Sequence, residues 1–304
     1  MITAFLGTPA IAVPALRLLA QRTQVQVVIT QPDRPAGRGQ QLTPPPVKLA
    51  AQELGLALWQ PETTKGGAAA ERLRAVDVAI VLAYGELLRQ DVLDAPRFGC
   101  INLHGSLLPR WRGASPLQAA LRAGDAETGV TVMRMVRGLD AGPMHLHERI
   151  PLPADATLPW LHEAMAEAAA RALDRFLAAW PPAPPLPQDE TLVTHCRKLT
   201  DADGHLDFTQ GTAAVERWVR AYVPAPGCWA WMEDASDARE RLKIHAAAPR
   251  PDAVPAGVVV VVDGELRVGC GDGALALTRV QSAGRPALPA RAWLNGRMAP
   301  ARLC

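Results

Sequence analysis

Net charge, long apolar runs and paired cysteines are all scarce in this chain. Its 32 Lys and Arg residues almost balance 30 Asp and Glu, leaving a formal +2. A protein that neutralises many phosphates usually carries a basic excess, so bulk charge argues against a nucleic-acid partner. The longest apolar stretches, residues 76–84 and 257–262, fall far short of the roughly 20 residues that cross a bilayer, so no transmembrane helix or membrane partner is expected. The start of the chain has no basic segment before its apolar residues, and Gly7 and Pro9 interrupt it early, so no secretory signal is expected and a cytoplasmic protein is. Cys100, Cys196, Cys228, Cys270 and Cys304 never form C-x-x-C, so neither a zinc site nor a disulfide framework is expected.

Two nucleotide motifs are also missing. Gly7-Thr8-Pro9 follows the first apolar run where a dinucleotide-binding protein would carry G-x-G-x-x-G, and no phosphate-cradling G-x-x-x-x-G-K-[ST] occurs. Nicotinamide and P-loop chemistry are thereby excluded. No internal repeat is seen.

What remains is globular composition, 49% hydrophobic and 20% charged, at a length suited to two domains. Short Val- and Ile-rich runs at 2–6, 25–30, 76–83 and 100–104 alternate with helical spacing at 15–19, 47–54 and 68–76. This alternation predicts an α/β domain with a parallel, doubly wound sheet, whose ligands sit beyond the carboxyl ends of the strands. A strand-like stretch at 130–135 and a helix over 159–180 follow. Residues 181–187 then hold five prolines in seven positions, which predicts an extended spacer. Past it, a helix over 212–222 precedes short runs at 228–232, 241–246, 257–262, 265–269 and 274–280. Asp263-Gly264 and Asp272-Gly273 mark hairpin turns. A small antiparallel barrel fits this pattern, and an open sandwich fits it too.

Chemistry concentrates in two places. If residues 100–104 form a strand, its period of two places Asn102 and His104 on one face, with Leu103 pointing the other way. An amide and an imidazole directed together can hydrogen-bond a developing oxyanion, and the imidazole can move a proton near neutral pH. Taken alone, His104 also reads as a satisfied core histidine. Further on, Gly138 and Gly142 bracket Asp140 in a tight loop. Its carboxylate could charge and orient His104 or take a proton, although an aspartate between glycines is equally a turn residue. The pairing requires that the two loops meet. A third feature is the connection at 31–48, long and without apparent regular structure, where Arg34, Arg38 and Lys48 against Asp33 make a local +2. It reads either as a solvated loop or as a mobile basic finger for phosphate. Arg110 and Arg112 extend that basic edge.

Together these residues resemble a known family. Phe5-Leu6-Gly7-Thr8-Pro9, the 30–39 segment, Pro46-Val47-Lys48, Ala83-Tyr84-Gly85, the 102–116 stretch, the 124–130 segment and Gly138-Leu139-Asp140-Ala141-Gly142 are similar to the methionyl-tRNA formyltransferases, a branch of the folate-dependent formyltransferases. The resemblance runs over nearly the whole chain. It implies a Rossmann-like formyltransferase domain over 1–184, a linker over 185–198 and an OB-like barrel over 199–304 that binds tRNA. It implies transfer of the formyl group of 10-formyltetrahydrofolate to the amino group of methionyl initiator tRNA by a monomer that needs no metal. Asn102, His104 and Asp140 match the catalytic trio, and Ser106, Leu107, Leu108 and Pro109 match the folate loop. Arg34, Arg38 and Lys48 would contact tRNA, with Arg197, Lys198, Arg217 and Arg220 near the barrel entrance adding backbone contacts. Pro143 stands where the tRNA branch often has an acidic residue.

The residues leave other readings open. A small-amine formyltransferase would use the same trio, a folate hydrolase would use it with water, and a silent tRNA-binding module would not need it. Basic contacts make a measurable prediction. Three phosphate contacts by Arg34, Arg38 and Lys48 should weaken tRNA binding roughly 20- to 40-fold over a fourfold rise in salt. Titration of the complex at two salt concentrations checks this, and an affinity flat with salt would remove the phosphate contacts.

Overall fold

The structure is a computed structural model that describes residues 1–37, 39–233 and 239–304. The first part of the chain supplies β1 (Ile2–Gly7), α1 (Val13–Arg22), β2 (Gln24–Ile29), β3 (Arg34–Ala36), β4 (Gln41–Thr43), α2 (Pro46–Glu53), β5 (Leu58–Trp59), α3 (Ala68–Leu73), β6 (Val78–Leu82) and α4 (Gln90–Leu93). Next come β7 (Cys100–His104), β8 (Arg112–Gly113), α5 (Pro116–Ala123), β9 (Glu127–Arg134), β10 (Met144–Pro151), α6 (Leu158–Ala178) and β11 (His195–Cys196). The chain divides into two compact units. The first comprises Met1–Pro116, Glu127–Leu152 and His162–Cys196, and the second comprises Leu117–Ala126, Pro153–Leu161 and Arg197–Cys304.

The first unit is built on a seven-stranded sheet in the order β10-β9-β7-β6-β1-β2-β5. Pairs from β5 to β7 are parallel, as the alternation of strands and helices predicts, but β9 and β10 run antiparallel and make the sheet mixed. That antiparallel edge was not legible as such: β9 reads as a single apolar run, and β10 alternates too weakly to announce a strand. Period-two alternation divides the core. Ala4, Leu6, Val27, Ile29, Ala79, Val81 and Cys100 pack with Leu73 of α3 and with Val92 and Leu93 of α4. Phe5, Val28, Ile80 and Ile101 point to the other face and are also buried. Leu103, expected to point outward, is 1% exposed, because the sheet is covered on both faces.

The 31–48 connection is not structureless. It carries the two-stranded hairpin β3–β4, turned by Gly37 at φ 69° and Gly39 at φ 90°, conformations that glycine adopts without a side-chain clash. Arg38, one of the expected tRNA contacts, lies outside the described residues. Residues 185–198, expected as a linker, make defined contacts. Leu186 bridges Met144 of β10, and β11 pairs in parallel with β8, so this segment is woven into the first unit as far as Cys196.

The second unit contains α7 (Thr212–Tyr222), β12 (Cys228–Glu233), β13 (Arg239–Arg250), β14 (Val259–Val262), β15 (Glu265–Cys270), β16 (Gly273–Ser282), β17 (Leu288–Pro289), α8 (Ala290–Leu294) and β18 (Arg302–Leu303). Its sheet runs β14-β15-β16-β13-β12-β18, all antiparallel, with β17 also on β16. The turns at Asp263-Gly264 and between β15 and β16 fall where the hairpin signals stand. Here Arg122 of α5 lies over the Trp218 ring at 3.8 Å and donates to the Tyr222 hydroxyl. Among the described residues, no helix is long and apolar enough to cross a membrane.

Removing the Leu103 side chain between Asn102 and His104 should cost about 2–5 kcal/mol of unfolding free energy. Urea denaturation of Leu103→Ala checks this, and an unchanged midpoint would show that the site strand is not held by its second buried face.

Candidate active site

Parallel pairing with β6 puts the end of β7 at the carboxyl edge of the sheet, where Asn102 and His104 share the face of Cys100. Asn102 is partly exposed, and its amide makes no hydrogen bond among the described residues. His104 is buried, and its Nε2 lies 3.0 Å from the Trp111 carbonyl oxygen. A carbonyl only accepts, so the ring carries a proton on Nε2, and Nδ1 lies on its other side. There Nδ1 faces Asp140 Oδ1 at 3.6 Å, with side chains only 6% and 13% exposed. The two loops therefore do meet. The other carboxylate oxygen, Oδ2, accepts from the Gly113 amide at 2.9 Å.

The backbone around this pair is unusual. Asp140 has φ 48° and Trp111 has φ 63°, left-handed values rare for residues with side chains. Gly113, at φ 125°, is required by space as well, because a Cβ there would lie 2.0 Å from the Cys196 carbonyl oxygen. A Cβ on Gly142 would lie 1.8 Å from the Arg134 carbonyl oxygen. Gly142 thus lets the Asp140 loop lie against the end of β9.

In the expected folate loop, inward and outward residues alternate. Ser106 and Leu108 are buried, whereas Leu107 and Pro109 are partly exposed and can meet a ligand. Ser106 donates to the Arg110 carbonyl at 2.6 Å. Thr131 of β9, in register with His104, donates to the Ser106 carbonyl at 2.6 Å and accepts from the Leu108 amide at 3.0 Å.

Several expected contacts are otherwise engaged. Lys48 is not a free cation on the basic loop: its ammonium binds both oxygens of Asp33 at 2.7–2.8 Å. Gln60 adds a third bond to Asp33, so these residues anchor the base of the hairpin. Hydrogen bonds from Lys48 first and Gln60 second hold the Asp33 carboxyl below its usual range. Arg34 is exposed and pairs with an exposed Glu62 at 3.0 Å, a contact weak enough to exchange for phosphate. Arg197 is paired with Asp203, and Arg220 with Glu216. Arg217 donates to the Arg122 carbonyl. Arg112 is not part of a solvated basic edge. It is 5% exposed and donates to Gln188 and Glu190.

Sequence reasoning missed a group of residues that hold the loops. Gln188 donates from Nε2 to the carbonyls of Asp140 at 2.7 Å and Gly142 at 2.8 Å. Thr194 accepts from the Trp111 amide at 2.9 Å. These partners lie 46 to 83 residues apart in the chain, so no local spacing could announce them.

Residues 4–177 match the family model described as formyl transferase, and residues 198–298 match the formyl transferase C-terminal domain. A methionyl-tRNA formyltransferase of Granulibacter bethesdensis is 46% identical over 302 residues, covering 98% of this chain and 94% of the relative. Another, of Halorhodospira halophila, is 45% identical over 301 residues, covering 96% and 95%. Among solved structures, an N-formyltransferase from Helicobacter canadensis in complex with folinic acid and dTDP-3-aminofucose shares the fold. It has a TM-score of 0.67 at 14% identity, covering 91% of this chain and 99% of that one. HypX from Aquifex aeolicus in complex with tetrahydrofolic acid aligns with a TM-score of 0.61 at 18% identity, over 96% of this chain and 46% of that one.

The Lys48 and Asp33 pair makes a signed prediction. Because the folded Asp33 pKa is depressed, its stabilisation is present at neutral pH and is lost as pH falls through that lowered value. Lys48→Met should raise the Asp33 pKa toward the ordinary aspartate value in a carboxyl carbon-13 NMR titration. An unmoved titration would show that Lys48 does not hold Asp33. On the two matched domains and the near full-length identity, the chain belongs to the formyltransferase family, in the group of the methionyl-tRNA formyltransferases.

Proposed function

We infer that the site formed by Asn102, His104 and Asp140 moves a formyl group from 10-formyltetrahydrofolate to the amino group of methionyl initiator tRNA, making formylmethionyl-tRNA. The observation that carries this reading is the approach of Asp140 Oδ1 to His104 Nδ1 at 3.6 Å beside a partly exposed Asn102. A structural histidine would not need a half-buried carboxylate across from its Nδ1.

The neutral amine attacks the formyl carbon, and negative charge builds on the formyl oxygen. Asn102 supplies the amide donor for that oxyanion. His104, already donating through Nε2, takes the amine proton on Nδ1, where the Asp140 carboxylate compensates the new charge. The carbon–N10 bond then breaks, and the same proton passes to N10 of the departing tetrahydrofolate. Direct donation from His104 to the oxyanion, the other role expected of it, requires Nε2–H to leave the Trp111 carbonyl. Leu107 and Pro109 line the folate side as the exposed members of the Ser106–Pro109 loop.

The acceptor is tRNA rather than a small amine because the chain carries the hairpin with the exposed Arg34 and a second unit. That unit forms a closed OB-like barrel in our reading. Its end strands meet where Val258 bridges Arg302, the Val259 amide donates to the Ala301 carbonyl and the Leu303 amide donates to the Gly257 carbonyl. Such a barrel, with Lys198 in the same unit, adds contacts to the tRNA backbone.

Losing one oxyanion donor costs ~10²–10³ in rate. Asn102→Ala should therefore lower formylmethionyl-tRNA formation from 10-formyltetrahydrofolate and charged initiator tRNA by at least about 100-fold while folding normally. Near-wild-type turnover of the folded variant would sink the assignment, and formate release without transfer would favour hydrolysis.

A further inference from the structure

The stretch that follows the proline run behaves as a strap across the candidate active site. From Gln188 to Cys196 it touches both loops that carry the chemistry. Thr194 accepts from the Trp111 amide, takes the Arg112 amide on its carbonyl at 2.9 Å and donates its own amide to the Pro109 carbonyl at 3.4 Å. The Cys196 carbonyl accepts from the Ala114 amide at 3.0 Å, and the parallel β8–β11 pair explains why Gly113 tolerates no side chain. At the other end of the strap stands Gln188, 8% exposed, with both ends of its amide used. Its two N–H bonds go to Asp140 and Gly142, and its oxygen accepts from Arg112 Nε at 3.0 Å. Arg112 is fixed in turn by two bonds to Glu190, at 2.7 and 3.2 Å, and its guanidinium lowers the Glu190 carboxyl pKa.

The chain of contacts closes on the reacting pair. Asp140 occupies a left-handed backbone conformation that costs free energy and persists only when its surroundings over-determine it. Gln188 bonds the carbonyl of that very residue. The Gly113 amide, two residues past Trp111, holds Asp140 Oδ2, so the remaining oxygen is turned toward His104. Every polar atom of the Gln188 amide is spent on active-site backbone or on the arginine that packs it. None is left for an ordinary surface role.

We propose that Gln188 is a positioning residue for formyl transfer, which sets the Asp140 carboxylate against His104 by holding the carbonyls of Asp140 and Gly142 while Arg112 fixes its own orientation. It does not touch the reacting atoms. The consequence for catalysis rests on the functional reading above, whereas the coupling between Gln188 and His104 does not. A buried hydrogen-bond network of this kind is costly when half satisfied, so the amide has no neutral substitute. Methionine would fill the volume with no donor. Glutamate would keep an acceptor for Arg112 and set a carboxylate against two carbonyl oxygens.

The test uses the full-length chain with Gln188→Met and Gln188→Glu, the second retaining the Arg112 contact in case the first fails to fold. Two readouts are taken: steady-state kinetics with 10-formyltetrahydrofolate and charged initiator tRNA, and NMR titration of the His104 ring carbon. In a folded variant kcat should fall roughly 10- to 100-fold, with KM for the folate changed far less, and the His104 titration should move. An unmoved His104 resonance in a folded variant would overturn the proposal, as would kcat within twofold of the parent or a loss confined to KM. If Asn102→Ala left formyl transfer intact while Gln188→Met still moved His104, the functional reading would fail and the positioning role would stand.

Discussion

A carboxylate and an imidazole that face each other at 3.6 Å must be held there, and sequence spacing alone does not hold them. In this chain the constraint is met by the loop around Asp140, whose carboxylate is gripped at Oδ2 by the Gly113 amide and aimed through Oδ1 at His104 Nδ1. Most of what is unusual in the first unit follows from it. The left-handed backbone at Asp140 and Trp111, the glycines at 113 and 142, and the buried Arg112 all lie on the path that brings these two groups together. Covering the β7 strand on both faces then gives His104 a rigid base, because Ile101 and Leu103 anchor the side opposite Asn102 and His104.

The same geometry assigns distinct work to the two ring nitrogens. With Nε2 donating to the Trp111 carbonyl, the ring orientation is determined before any substrate arrives. Preorganisation of this kind means that the site does not spend binding free energy on ordering its own groups. Asn102 is different. Its amide makes no hydrogen bond among the described residues, which suits the oxyanion role proposed for it.

Local basicity, rather than net charge, is the relevant electrostatic property. The +2 total hides a hairpin with Arg34 exposed at its base and a compensated clamp of Lys48, Asp33 and Gln60 beneath it. Lys48, a lone cation in a list of charges, is paired in the fold with a carboxylate 15 residues away in the chain. Arg197 and Arg220 follow the same rule.

By itself, the sequence determined the alternation of strands and helices in the first unit, the change of pattern after the proline run, and the two motifs that hold Asn102, His104 and Asp140. These are local properties: hydrophobic period, turn residues and short-range spacing are written in neighbouring positions. Tertiary structure alone decided that the His104 and Asp140 loops meet, that β9 and β10 turn a parallel sheet into a mixed one, and that residues 188–196 bond to the backbone of both loops. Those facts depend on hydrogen bonds between residues far apart in the chain. The pairing of Gln188 with Asp140 spans 48 positions, and its only requirement is that two backbone carbonyls and one amide coincide in space.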